Sequence, residues 1–327
     1  MRKFLKTLLV VFFICVFGIG IFTYVFRNRI NLYLNIAKNY LQIEEDMKSI
    51  EDLTCYTPLN SMDYKDIVYK NQNGVELTLD LFGPTKKLNG GSPVVLFVHG
   101  GSWIYGDKTI PKSISPLLES FRESGYTVIS TSYEFLKEDI NMDKPISDVK
   151  DTIRWVYKNK DIYNFNTDEI GILGFSAGAH LSLISAYSNK DEFIGDINLK
   201  DYPSNVKYVI DIFGPTDLST LNINNANTTI ASELSELPNL NELEKKYSPI
   251  NYVKEGVPET LIIHSKTDKL VPYENSTLLY NRLLKASVET KLVSLETSNH
   301  DLSNINVKEL APVALEVLKF VIKNSPL

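Results

Sequence analysis

Residues 170–187 read IGILGFSAGAHLSLISAY. Ile170–Phe175 is an apolar, β-forming run, Ala177–Tyr187 is a helix-forming one, and Ser176 alone stands between them. A strand that gives way to a helix across one residue needs a very tight turn. A side chain at Gly174 or Gly178 would meet neighbouring backbone, and the serine is held in a strained conformation with its hydroxyl exposed above a sheet. Gly174-Phe175-Ser176-Ala177-Gly178 therefore fits G-x-S-x-G in the strand-to-helix context that gives the pattern its meaning.

Outward from this elbow, strands and helices alternate. Tyr64–Tyr69 and Val75–Phe82 read as paired strands joined by the hairpin turn Asn73-Gly74. Val94–Val98 (VVLFV) has the continuous apolar character of a strand buried on both faces. Ser113–Ser124 is a helix, Thr127–Ser130 a strand, and Ser147–Asn159 a helix entered through a serine cap. Val206–Phe213, Thr260–His264 and Lys291–Leu295 are further strands, and Ala311–Ile322 is a closing helix. This alternation predicts an α/β fold with a doubly wound, mostly parallel sheet and an antiparallel start. Leu218–Tyr247, rich in Asn, Ser and Glu, breaks the rhythm and reads as an inserted cap, placed at 218–250.

Directly after VVLFV come His99-Gly100-Gly101-Ser102-Trp103. Two glycines there let the N–H groups of Gly100 and Gly101 turn toward a bound carbonyl oxygen. With the N–H of Ala177 they form an oxyanion hole, worth about 3 kcal/mol per donor. A serine hydroxyl is too weakly acidic to attack an ester alone, so a base and an orienting carboxylate are required. The chain has four histidines. His99 belongs to the glycine loop, which it orients by hydrogen bonding. His180 lies a helical turn past Ser176, and His264 falls inside the strand LIIHS as a core residue. His300, in the loop after the last strand, remains as the base, and Asp268, just past the preceding strand, as its carboxylate. Asp217 competes for that role but is better placed to cap the next helix. Trp103 and Tyr105 are either walls of the substrate pocket or packing residues.

Residues from about 60 to 320 resemble the α/β-hydrolase fold, and within it the carboxylesterase branch with HGG-type oxyanion loops. That branch includes hormone-sensitive-lipase-like esterases and bacterial feruloyl-esterase-like proteins. HGGSW at 99–103, GFSAGAH at 174–180, DIFGPTDL at 211–218, SPINYV at 248–253, and HSKTD with SNHD at 264–268 and 298–301 carry the resemblance. It implies a triad in the order Ser176, Asp268, His300: nucleophile, orienting carboxylate and proton shuttle. Ser265 and Asp301 depart from it, since such enzymes often carry glycine at both places. The resemblance implies no cofactor.

Thr7–Phe26 is twenty residues without a formal charge between Lys6 and Arg27, enough for about 30 Å of helix, the thickness of a bilayer core. The sequence predicts a transmembrane anchor at 1–28, a juxtamembrane helix or stalk at 29–58, and a catalytic domain at 59–327. Arg2, Lys3 and Lys6 keep the N-terminus in the cytoplasm, so that the body of the protein faces outward. The alternative is secretion after cleavage of the same segment as a signal peptide.

Composition limits the rest. A net charge of −6 argues against nucleic acid as a partner. Two cysteines, one of them within the apolar run, exclude a disulfide framework and any CxxC site, and four histidines cannot build a histidine-rich metal centre. The expected function is a serine hydrolase cleaving small carboxylic esters, with short acyl chains. The alternatives are a serine peptidase or amidase on the same fold, and a catalytically silent hydrolase-like binding domain.

Overall fold

The computed structural model describes residues 62–72, 74–111, 114–136, 141–221, 240–300, 302, 305 and 307–325, together with the single positions 27, 30, 34 and 38. The expected span at 7–26, most of the stalk, residues 222–239 of the cap and Asp301 lie outside them. Among the described residues no helix is long and apolar enough to cross a membrane.

Eight strands form one sheet in the order β1-β2-β4-β3-β5-β6-β7-β8. They are β1 (Tyr64–Gln72), β2 (Val75–Phe82), β3 (Ser92–Val98), β4 (Thr127–Thr131), β5 (Phe165–Phe175), β6 (Tyr208–Ile212), β7 (Glu259–Ser265) and β8 (Thr290–Leu295). β2 runs antiparallel to both neighbours, and all pairings from β4 to β8 are parallel. The antiparallel start and parallel body expected from the sequence are both present.

Helices cover both faces: α1 (Ser115–Ser124), α2 (Asp143–Lys158), the short α3 (Lys160–Tyr163), α4 (Ala177–Tyr187), α5 (Leu240–Tyr247), α6 (Glu274–Lys285) and α7 (Val307–Asn324). The strands are apolar throughout because each face feeds a different core. Val94, Leu96 and Val98 of β3 pack with Ile146, Val149 and Ile153 of α2 and Leu181 and Ile184 of α4. Val95 and Phe97, pointing the other way, pack with Leu117, Leu118 and Phe121 of α1 and Val317, Leu318 and Val321 of α7.

One local expectation needs correction, and other elements add to those expected. α2 begins at Asp143, a full turn before Ser147, and its Ser147 hydroxyl donates to the Lys144 carbonyl at 2.8 Å from within the helix instead of capping it. α5 and α6 are helices that the apolar periodicity of the sequence does not signal. Short 3₁₀ turns, Leu218–Thr220 and Pro249–Tyr252, flank the cap segment.

Candidate active site

The site is assembled where β3, β5, β6, β7 and β8 end. Ser176 sits between β5 and α4 with φ 53° and ψ −119°, a backbone conformation that a non-glycine residue adopts only under constraint. The constraint is visible: the Ser176 N–H donates to the Ile212 carbonyl of β6 at 2.8 Å, and its own carbonyl accepts from Ala179 and His180 at 2.9 and 3.1 Å. A Cβ on Gly174 would lie 2.4 Å from the Gly178 carbonyl oxygen, and one on Gly178 only 2.1 Å from that of Val98. The two glycines let α4 leave the sheet at once and point Ser176 over its edge.

Ser176, His300 and Asp268 are brought together from three separate loops. The Ser176 hydroxyl donates to His300 Nε2 at 2.7 Å, and His300 Nδ1–H donates to Asp268 Oδ2 at 2.7 Å. The other carboxylate oxygen, Oδ1, accepts the N–H groups of Leu270 and Val271 at 2.8 and 3.0 Å. Burial alone would raise the Asp268 pKa, but the imidazoles of His264 and His300 outweigh it and hold the carboxyl well below its ordinary range. The carboxylate is thus charged throughout the physiological range. Phe213 and Phe175 flank His300, with ring centroids 5.7 and 6.1 Å away.

The glycine loop lies against the elbow: a Cβ on Gly100 would be 3.0 Å from the Phe175 carbonyl oxygen and 3.4 Å from Ser176 Cβ. Gly101 has φ +119°, and a Cβ there would overlap the Tyr105 carbonyl oxygen, so this turn requires glycine. Among the described residues no protein acceptor takes up the N–H of Gly100 or Gly101. Ala177, first in its helix, has no intrahelical acceptor for its own.

His99 orients this loop. Its Nδ1–H donates to the Gly100 carbonyl at 2.6 Å, and its ring stacks on Tyr133 at 4.4 Å. The Tyr133 hydroxyl donates to the His99 carbonyl at 3.1 Å. His180 is fully buried. Its Nδ1 accepts the Trp103 indole N–H at 3.2 Å, and its Nε2–H donates to the Tyr247 carbonyl at 2.7 Å, joining the glycine loop to the end of α5. Burial pushes both imidazoles down to about 4. Of the two aromatic residues in this loop, Trp103 is partly buried against the core and Tyr105 is exposed.

Asp217 caps the 3₁₀ turn after β6, accepting from the Ser219 N–H at 3.1 Å and the Ser219 hydroxyl at 2.6 Å. Ser265 is buried and accepts the Thr267 N–H at 3.2 Å. His264 is in the core, as its strand position implies, but its Nε2 also lies 3.2 Å from Asp268 Oδ2. Nothing in the sequence but the four-residue spacing points to that contact. Among the described residues no group of three or more His, Cys, Asp or Glu side chains is arranged to hold a metal ion.

Comparison with known proteins adds family evidence to this geometry. The BD-FAE family model matches residues 79–283. The probable carboxylic ester hydrolase LipM of Mycobacterium tuberculosis (strain ATCC 25618 / H37Rv) is 24% identical over 251 residues, 73% of this chain and 56% of that protein. Esterase LipQ of the same strain is 29% identical over 205 residues, 61% of this chain and 47% of that protein. The chain thus spans about half the length of the curated relatives it matches. A solved structure, a truncated form of a carbohydrate esterase from gut microbiota, superposes with a TM-score of 0.69 at 25% identity, covering 82% of this chain and 97% of that one.

Proposed function

We propose, for a chain that belongs to the BD-FAE family, that it is a serine hydrolase cleaving carboxylic esters through an acyl-enzyme on Ser176. The observation that carries this is the continuous relay of two 2.7 Å hydrogen bonds from Ser176 Oγ through His300 to Asp268. His300 Nε2, facing the hydroxyl with its lone pair, takes the proton as Oγ attacks the acyl carbon. The oxyanion of the tetrahedral intermediate is received by the N–H groups of Gly100, Gly101 and Ala177. Collapse breaks the bond to the leaving alcohol, which takes the proton from His300. Water then repeats the sequence on the acyl-enzyme and releases the acid. Asp268 fixes the Nδ1–H tautomer and stabilises the imidazolium that forms at each stage.

Short acyl chains suit a cap segment rich in Asn, Ser and Glu, which lacks the dense apolar patch needed to meet lipid aggregates. The carbohydrate esterase among the structural neighbours extends the candidate alcohols to sugar hydroxyls. The uncharged run Thr7–Phe26 anchors the enzyme in the membrane with its body outside the cytoplasm. Carbonate-resistant membrane association, with protease access from the outer side of intact cells, tests that placement.

The activity is tested with the 327-residue chain and its Ser176→Ala variant on p-nitrophenyl esters from acetate to palmitate. Hydrolysis of the short esters, reduced at least about 1,000-fold in the variant, is expected. Equal hydrolysis by both proteins would remove Ser176 as nucleophile.

A further inference from the structure

We propose, on the reading of Ser176, His300 and Asp268 as an acyl-transfer site, that His264 is a positioning residue for that reaction. From the end of β7 it fixes the turn that carries Asp268 and lies against the carboxylate oxygen used by His300.

The hydrogen-bond geometry defines its state. His264 Nε2 lies 3.0 Å from the Val271 carbonyl and 3.2 Å from Asp268 Oδ2, and Nδ1 lies 2.6 Å from the Ser276 hydroxyl. A carbonyl and a carboxylate only accept, so Nε2 bears the proton, and Nδ1 accepts from Ser276. Val271 is thereby held twice: its carbonyl takes the His264 N–H, and its own N–H donates to Asp268 Oδ1 at 3.0 Å. The imidazole braces the peptide that braces the carboxylate. It also places a partial positive charge beside Oδ2.

The surroundings of His264 leave that charge directed at Asp268. Asp211 of β6 is in register with Ile262 of β7, and so lies on the same face of the sheet as His264. Its Oδ1 accepts the Gly214 N–H at 2.8 Å, and its buried Oδ2 has no hydrogen-bond partner. Burial pushes its pKa up to about 7, against the pull of His264. Asp211 is therefore neutral in acid, and no second anion competes with Asp268 for the His264 N–H. The other neighbours are uncharged: Ser276, and the rings of Phe213 and Tyr273 at 5.3 and 5.8 Å.

The His264 N–H, a donor engaged by the Val271 carbonyl, brings its partial positive charge to within about 3.2 Å of Oδ2, which offsets the charge of Asp268 and weakens its hold on the His300 imidazolium. Loss of that donor raises the pKa of His300 and moves the acid limb of kcat/KM, which reports the base of the free enzyme, to higher pH. A merely structural role would lower activity at every pH and leave the limb in place.

The test uses the 327-residue chain with His264→Leu and His264→Gln, each checked for native near-ultraviolet circular dichroism, and follows p-nitrophenyl acetate hydrolysis from about pH 5 to about pH 9. Gln keeps an N–H donor near the Nε2 position, and Leu removes it. We expect Leu to lower kcat/KM at least about 10-fold and to raise the acid limb by about half a unit, with Gln within about threefold and its limb unmoved. Complete loss in Leu with activity kept in Gln supports the same assignment. A limb common to all three proteins, or equal losses in Leu and Gln, would overturn it. If Leu does not fold, His264→Asn, whose amide reaches only toward Ser276, replaces it under the same two criteria. Ser176→Ala is run alongside. Activity surviving there removes the acyl-transfer reading itself, whereas activity lost there, with His264→Leu matching the parent, removes only the role of His264.

Discussion

A single methyl group on Gly178 would place carbon 2.1 Å from the Val98 carbonyl oxygen and 2.4 Å from that of His99. Neither β3 nor α4 can yield without moving Ser176, which already sits at φ 53°. Gly178→Ala should therefore cost about 2–4 kcal/mol of stability in urea denaturation and at least about 100-fold in ester hydrolysis. Gly256, with φ +85° and open space around it, is the control; alanine there should cost about 1 kcal/mol and leave hydrolysis unchanged. The two candidate carboxylates separate in the same way. Asp268→Asn reverses the hydrogen-bonding sense at His300 Nδ1 and should lower kcat by about 10⁴. Asp217→Asn disturbs one 3₁₀ cap and should cost less than about threefold. The opposite ranking would mean that the relay runs through the wrong acid. The residues of this relay were legible in the sequence because each sits at a strand end within a recognisable phrase. The surroundings of His264 and Asp211 were not, although both open such phrases, since these surroundings arise only when β6 and β7 pair and place the two residues on one face of the sheet.

Elements are held by forces that periodicity does not display. α2 buries Asp148, Lys150, Asp151 and Arg154 almost completely beside the apolar face of Ile146, Val149 and Ile153, and its start lies a turn before the expected one because Ser147, which reads as a cap, sits inside the helix. Lys70 of β1 reaches across to it, with Nζ 2.7 Å from Asp148 Oδ1 and 3.0 Å from Asp151 Oδ2, and Arg154 pairs with Asp151 at 2.8 Å. Removing one partner of a buried network leaves charge uncompensated, so Lys70→Met should cost about 3 kcal/mol. Lys207→Met breaks a half-exposed pair with Glu169 and should cost less than about 1 kcal/mol. Comparable losses in chemical denaturation would show that the Lys70 network does not fasten β1 to α2. α6 lacks a clear apolar stripe: its buried face combines Asn275 and Ser276 with Leu279 and Leu283. The Asn275 side chain accepts the N–H groups of Thr216 and Asp217 at 2.9 Å, so polar satisfaction, invisible as hydrophobic pattern, places that helix. The central strands were legible because burial on both faces makes them uniformly apolar.

At the scale of the molecule, buried titratable groups set how stability depends on pH. His99 and His180 are pushed down to about 4 in the folded protein from the ordinary 6.5, first of all by burial. In the window between these values the unfolded chain binds two protons that the folded protein excludes, so their contribution is complete above pH 6.5 and is lost as pH falls toward 4. Asp211 acts in the opposite sense. Its pKa rises from 3.8 to about 7 on folding, so the folded protein holds a proton that the unfolded chain releases, and stability is lost as pH rises through that range. Asp211→Asn, which cannot ionise, should therefore gain relative to the parent between pH 4.5 and pH 8, by about 3 kcal/mol. His180→Gln isolates the other arm. Loss of the bridge from Trp103 to Tyr247 makes it less stable than the parent at neutral pH. That deficit should shrink by about 3 kcal/mol between pH 7.5 and pH 4, as protonation of the unfolded chain removes the parent's advantage. Urea denaturation of both proteins across that range reads the difference directly. A deficit constant with pH would mean that His180 is not kept neutral by the fold, and that the tie between the glycine loop and the end of α5 does not depend on its lone pair.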